Sequence, residues 1–249
     1  MSGPNIRVGI GGWTYEPWRG VFYPDGLSQK RELEYVGQKL TATEINATYY
    51  SRQSPKSWEN WANSVPDGFQ FAVKGSRFIV MKSKLAEAGE GVGNFLAQGL
   101  TALGDKLGPI LWMFMARKKF DREDIAAFLK LLPENHDGVP LRHAIEPRHE
   151  SFRDEAFISL CRDHNVAIVY GDDDEFPLID ADTADFRYAR LQRMNEDVPT
   201  GYDGKSLDRL AGTIRGWDKD SYVFMINGAK VRAPAAALAL QQRLGIAPA

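Results

Sequence analysis

The chain has 249 residues, 43% of them apolar and 26% charged, the make-up of a globular protein with material for a large core. A formal net charge of -2 excludes nucleic-acid or membrane binding driven by bulk charge. The single cysteine, Cys161, excludes an internal disulfide framework. No apolar run approaches the ~20 residues that cross a bilayer, so no membrane partner is expected. Met1–Asn5 shows no basic segment leading into an apolar stretch. The expected location is cytoplasmic.

Short apolar runs alternate with amphipathic segments along the chain. Arg7–Gly11 reads as the first strand and runs into Gly11-Gly12-Trp13-Thr14-Tyr15, where glycines allow close approach and aromatics offer a platform. Ala42–Asn46 is the second. Alternation places Glu44 and Asn46 on one face and Thr43 and Ile45 on the other. A carboxylate and an amide aimed into a folded interior need partners, because burying either unpaired costs several kcal/mol. Such a pair marks a site.

Ser54-Pro55 then starts a helix with Trp58, Trp61 and Val65 on one stripe. Phe69–Lys74 is the third strand. The following segment, Phe78–Gly93, is long for a strand-to-helix loop and is expected to fold over the barrel mouth. Within it, Gly89-Glu90-Gly91-Val92-Gly93 lacks the Lys-Ser/Thr of a phosphate loop and reads as a flexible hinge. Pro109–Phe114 is the fourth strand, and Asp121 opens a helix striped by Ile125, Phe128, Leu129 and Leu132. Arg142–Glu146 is the fifth, followed by the stripe Phe157, Leu160, Cys161, His164. Val166–Tyr170 is the sixth. Only about fifteen residues, Pro177 among them, separate it from Phe186–Leu191, so its helix is short or irregular. Leu207, Leu210, Ala211 and Ile214 form the next stripe after Ser206. Tyr222–Asn227 is the last strand, and the last helix starts at Pro234.

Eight strand–helix units without a change of composition predict a single-domain TIM-like (β/α)8 barrel over 1–249. An open, doubly wound sheet is the alternative. In a closed α/β barrel the strand C-termini form the functional face. Inward-facing polar residues there are Glu44 and Asn46 with Tyr49 after them, Lys74, Glu146 and Arg148, Arg190 and Asn227, with Trp13 and Tyr15 from the first loop. Glu–Arg and Glu–Lys pairs in a barrel lumen can also serve only to hold strands in register.

The leading expectation is an enzyme acting on a polar, phosphorylated or nucleotide-like ligand. Glu146 is its acid/base and Glu44 the partner, with Arg148, Arg190 and Lys74 holding an anion. A second is a nucleic-acid-binding module without chemistry of its own. It would use a rim of Lys74, Arg77, Lys82, Lys84, Arg117–Lys119, Arg190 and Arg193 around Trp13, Tyr15, Tyr49 and Tyr50. A third is a sugar-active enzyme with Glu44 and Glu146 roughly 5–9.5 Å apart. No cofactor is identifiable, and no metal site is assigned. His136, His143, His149 and His164 form no two-histidine motif. Asp172-Asp173-Asp174-Glu175 reads as a solvated loop, with a divalent cation held through oxygens as the alternative.

Several stretches resemble one known family, the YecE-like proteins. Gly11-Gly12-Trp13-Thr14-Tyr15-Glu16-Pro17-Trp18-Arg19-Gly20-Val21-Phe22-Tyr23-Pro24 is similar to their opening signature. Glu44-Ile45-Asn46-Ala47-Thr48-Tyr49-Tyr50 matches their second-strand motif, and Glu146-Pro147-Arg148-His149-Glu150-Ser151-Phe152 resembles the fifth-strand one. The resemblance implies a TIM-like barrel and names no reaction. The chain also departs from the family pattern. Val80-Met81 stands where the family places Thr-His, and Met113-Phe114-Met115 replaces Gln-Leu-Pro. Arg190-Leu191-Gln192-Arg193 replaces Arg-Leu-His-Gly, and Met225-Ile226-Asn227-Gly228 the Phe-Asn-Asn region. These changes imply a different ligand or a reduced activity.

Overall fold

The computed structural model describes residues 3–247, so the extreme ends of the predicted 1–249 unit lie outside it. Strands β1 (Ile6–Gly11), β2 (Ala42–Ile45), β3 (Gln70–Lys74), β4 (Leu107–Met113), β5 (His143–Glu146), β6 (Val166–Ile168), β7 (Tyr170–Asp172), β8 (Phe186–Leu191) and β9 (Asp220–Met225) form one nine-stranded parallel sheet. In space it runs β6-β5-β4-β3-β2-β1-β9-β8-β7. β6 and β7 are two stretches of one strand interrupted at Val169, so the sheet returns to its start and closes as a barrel.

The nine segments are therefore the eight predicted strands with the sixth split, and Thr183 explains the split. Its hydroxyl donates to the Val166 carbonyl at 2.8 Å and accepts from the Ile168 N–H at 3.1 Å, covering the edge where β8 would otherwise pair. From Tyr170 onward the chain pairs with β8 instead.

Helices α1 (Glu32–Lys39), α2 (Pro55–Asn63), α3 (Gly89–Leu96), α4 (Arg122–Lys130), α5 (Glu155–Asp163), α6 (Gly204–Gly216) and α7 (Ala233–Leu244) cover the outside. The side chains of Ser54, Asp121, Asp154 and Asp203 cap α2, α4, α5 and α6 by accepting first-turn N–H groups. Each such cap contributes about 1 kcal/mol. Between β7 and β8 no helix forms, as expected from that short, Pro177-containing stretch.

Two expectations about residues 78–93 are corrected. Gly89–Gly93 is not a hinge; it forms the first turns of α3, because Val92, Phe95 and Leu96 bury a common stripe. Gly91 suits that packing, since a Cβ there would sit a tight 3.1 Å from the Ile79 side chain. The segment also does not cover the mouth. The Asp124 carboxylate accepts the Ala86 N–H at 2.8 Å and ties it down onto α4.

The apolar interior has two compartments. Val8, Ile10, Phe71, Val73, Ile110, Trp112 and Ile145 belong to the shell between strands and helices. The lumen is filled asymmetrically: Ala42, Ala72, Ala144 and Ala167 on one side leave room for Phe186, Tyr188, Tyr222 and Phe224 from the other. Gly9 is forced by this packing, because a Cβ would lie 2.1 Å from the Ala42 carbonyl oxygen. His143 faces the outer shell. The Trp112 indole N–H donates to its Nδ1 at 3.2 Å, which leaves Nε2–H to donate to the Pro133 carbonyl at 2.8 Å. Burial brings this imidazole down to about 4, so it is a neutral structural group at physiological pH.

Candidate functional site

The strand alternation that puts alanines and aromatics in the lumen dictates the layer above them. One step toward the C-terminal ends, Ala42 gives way to Glu44, Ala72 to Lys74, Leu111 to Met113, Ala144 to Glu146, Tyr188 to Arg190 and Phe224 to Ile226. All six upper residues are buried.

Arg190 is the centre of this layer. Its Nε and Nη2 donate to the two oxygens of Glu44, each at 3.2 Å, and its Nη1 donates to Glu146 Oε2 at 2.6 Å. The Tyr188 hydroxyl donates to Glu44 Oε2 at 2.8 Å. Arg148 Nη2 reaches Glu146 Oε1 at 3.3 Å, and the Gln192 amide approaches the same oxygen at 3.5 Å. Gln192 in turn accepts from the Asn227 amide at 2.8 Å. Burial alone would raise the Glu146 carboxyl, but Arg190, Arg148 and Lys74 outweigh it and hold it below the usual carboxylate range. Burial likewise opposes the Arg190 charge, and Glu146 and Glu44 more than restore it. The triad is a satisfied buried ion network rather than an open pair of carboxylates.

A cavity of about 580 Å³ opens above this floor, within the usual range for small-molecule sites. Gly11, Trp13, Asn46, Lys74, Met113, Arg148, Arg190, Ile226, Asn227 and Lys230 are among its lining residues. None of the residues that line it is acidic. The loop after β1 is fixed in place: the buried Trp18 indole donates to the Lys230 carbonyl at 2.9 Å, and the Tyr23 hydroxyl donates to the Trp13 carbonyl. Trp13 is braced edge-on by Trp61 at 5.3 Å.

The basic groups on the wall are only partly committed. Arg148 stacks on Phe176 at 4.5 Å, and its buried Nε has no hydrogen-bond partner. Lys230 lies 4.4 Å above the Tyr15 ring, and burial lowers its ammonium below the usual lysine range. Lys74 lies 4.7 Å from the Tyr49 ring centre. Burial, then the neighbouring Arg190 charge, brings Lys74 down to about 8 against the partial support of Glu44 and Glu146.

Of the residues expected at the mouth, Trp13, Asn46, Lys74, Arg148, Arg190 and Asn227 line the cavity. Glu44 and Glu146 lie under the floor, while Tyr15 and Tyr49 sit behind the wall as supports for Lys230 and Lys74. Lys230 was missed by sequence, although it follows Asn227 by three positions in the loop after the last strand. Tyr188 was missed too, although it shares the parity of Arg190. The basic rim is thinner than expected. Arg193 is paired with Asp172 and Asp174, and Lys118 with Asp124. The acidic run is thereby occupied, since Asp172 and Asp174 face Arg193 and Asp173 accepts the Glu175 N–H. Among the described residues no group of three or more His, Cys, Asp or Glu is placed to hold a metal ion. Nor is any helix among them long and apolar enough to cross a membrane. Burial pushes the Cys161 thiol up, so it stays protonated in the core.

The same architecture occurs in known proteins. A DUF72 family protein from Thermotoga maritima MSB8 superposes with a TM-score of 0.81 at 27% identity, over 97% of this chain and 99% of that one. A DUF72 family protein from Enterococcus faecalis V583 superposes with a TM-score of 0.75 at 17% identity, over 98% and 99%. The UPF0759 protein YunF of Bacillus subtilis (strain 168) is 28% identical over 69 residues, a stretch that spans only 23% of that relative's length. The family model described as "Protein of unknown function DUF72" matches residues 7–249, and the chain belongs to that family.

Proposed function

We propose that the protein binds a small anionic ligand, a phosphate ester, a nucleotide or an organic acid, at the C-terminal mouth of the barrel and acts on it as an enzyme. The observation that carries this is the charge of the wall: Lys74, Arg148, Arg190 and Lys230 face the cavity with no acidic lining residue. The compensating carboxylates are beneath the floor and already bound to Arg190. A ligand entering here meets fixed cations in a partly desolvated cleft, where charge-assisted hydrogen bonds are strongest. Trp13, Met113 and Ile226 offer an apolar surface for the rest of the molecule.

In this reading Glu44 and Glu146 hold Arg190 and so shape the floor, in place of the acid/base roles expected for them. Two-carboxylate sugar chemistry finds no support, because it requires both carboxylates at the substrate. Nucleic-acid binding has one specific observation in its favour. Tyr50 and Phe78 are 60% and 68% exposed, with the Arg77 guanidinium 5.7 and 5.1 Å from their ring centres, a surface suited to stacked bases.

Thermal unfolding against a ligand panel separates these readings. Inorganic phosphate, 2-oxo acids and nucleotides are expected to stabilise the wild type, by about 2.7 kcal/mol at a hundred times the dissociation constant. The effect should shrink in Lys230→Ala. A response to neutral sugars alone would contradict the anion site. A salt-sensitive response to single-stranded oligonucleotides alone would favour the stacking surface.

A further inference from the structure

We infer that the Lys74 amine is a nucleophile that condenses with the carbonyl carbon of a small anionic oxo compound, a 2-oxo acid for example, to form an imine in the cavity. The inference rests on the anion-binding reading above and names the substrate class and the reacting atom.

The contrast with other lysines of the same chain carries it. Lys106 is held by the carbonyls of Ala62 and Val65, both at 2.8 Å, and Lys118 by the Ser83 carbonyl and the Asp124 carboxylate. Those are structural lysines, each with its ammonium group taken up by two acceptors. Lys74 is only 9% exposed and lines the cavity, yet among the described residues its Nζ has neither a hydrogen-bond acceptor nor a carboxylate within 4.0 Å. The nearest candidates, Glu44 and Glu146, are turned to Arg190. Its backbone is pinned at the end of β3, where the Thr48 hydroxyl donates to the Lys74 carbonyl at 2.6 Å.

A desolvated amine among cations loses its proton readily and becomes a nucleophile near neutral pH. The value of about 8 agrees with that arrangement. The nitrogen lone pair attacks the carbonyl carbon, and the carbonyl oxygen leaves as water with the two amine protons. The C=N bond replaces the C=O bond, and no oxidant or reductant is needed. Arg148 and Lys230 are placed to hold the carboxylate of the oxo acid.

Residue-by-residue reductive trapping tests this. The folded wild type is treated at pH 8 with limiting glyoxylate and cyanoborohydride, and the modified lysines are quantified by peptide mass mapping. Lys74 is expected to react at least ten-fold faster than the exposed Lys30 and Lys205, and to lose that advantage in urea. Lys74→Arg, checked for native circular dichroism, should lack the fast site. Sulfate added to fill the cavity should slow labelling of Lys74 and leave Lys30 and Lys205 unchanged. Reaction of Lys74 at or below the rate of the exposed lysines overturns the imine step. If phosphate and 2-oxo acids still stabilise the protein, the anion site survives that failure; if they do not, both fall.

Discussion

Arg190→Met is expected to lower the free energy of unfolding by about 3–5 kcal/mol at pH 7, the usual consequence of leaving a buried charge without its partner. Here two buried carboxylates lose this partner at once, leaving Glu44 only the Tyr188 hydroxyl and Glu146 only the more distant Arg148 and Gln192. Urea unfolding measures the loss. The pH dependence should change sign as well. In the wild type the Glu146 carboxyl sits below its ordinary value of 4.5, so its contribution is present above that pH and is lost on acidification. In Arg190→Met the buried Glu146 carboxyl loses the largest of the charges that hold it down, so the deficit should narrow as pH falls toward 4. A triple replacement of Arg190, Glu44 and Glu146 by apolar residues of similar volume should be far less damaging than Arg190→Met alone.

Lys74→Met is expected to act the other way, stabilising the fold at pH 7 while weakening anion binding about ten-fold or more. The amine's folded value of about 8 lies below its ordinary 10.5, so the unfolded chain binds more protons between those limits. Stability therefore rises with pH across that window, and the full penalty of burying the ammonium is present below about pH 8. At about 1.4 kcal/mol per unit of difference, removal of the amine should gain on the order of 2–3 kcal/mol at pH 7. The gain should shrink as pH rises through that window and vanish only well above pH 10.5, where the wild-type amine is neutral in both states. Equal stability of variant and wild type at pH 7 would show that the ammonium is well solvated, and would remove the desolvation argument for Lys74. A gain in stability at the expense of binding is what a functional group held in an unfavourable place should show.

Much of the barrel was legible because period-two burial and strand-end position are both written in the chain. Phe186–Leu191 matches the observed strand end to end, and the parity that sends Glu44, Lys74, Glu146 and Arg190 inward follows from alternation alone. The split of the sixth strand was not legible, because it depends on Thr183 reaching back from a loop fifteen positions away from Ile168. Gly89–Gly93 misled because glycine content speaks for the unfolded chain's freedom, whereas burial of Val92, Phe95 and Leu96 decided the outcome. Within the site, sequence parity could place Glu44 and Glu146 at one level but could not show that a single guanidinium lies between them. That contact links residues 146 and 44 positions apart. Lys230 escaped notice because it enters by a loop, where neither period two nor period 3.6 applies, and is placed by the Trp18 indole on its own carbonyl.

The most direct test of a cationic anion site at the barrel mouth is a calorimetric titration with sulfate, which keeps its charge at all the pH values used, at pH 6.5 and pH 9.5. Binding is expected at the lower pH and should weaken about ten-fold or more at the higher, as Lys74 loses its proton above about 8 and one charge-assisted hydrogen bond with it. Lys230→Ala should weaken both titrations. Absence of sulfate binding at pH 6.5, or binding equal at the two pH values and indifferent to Lys230→Ala, would contradict an anion site built on these side chains.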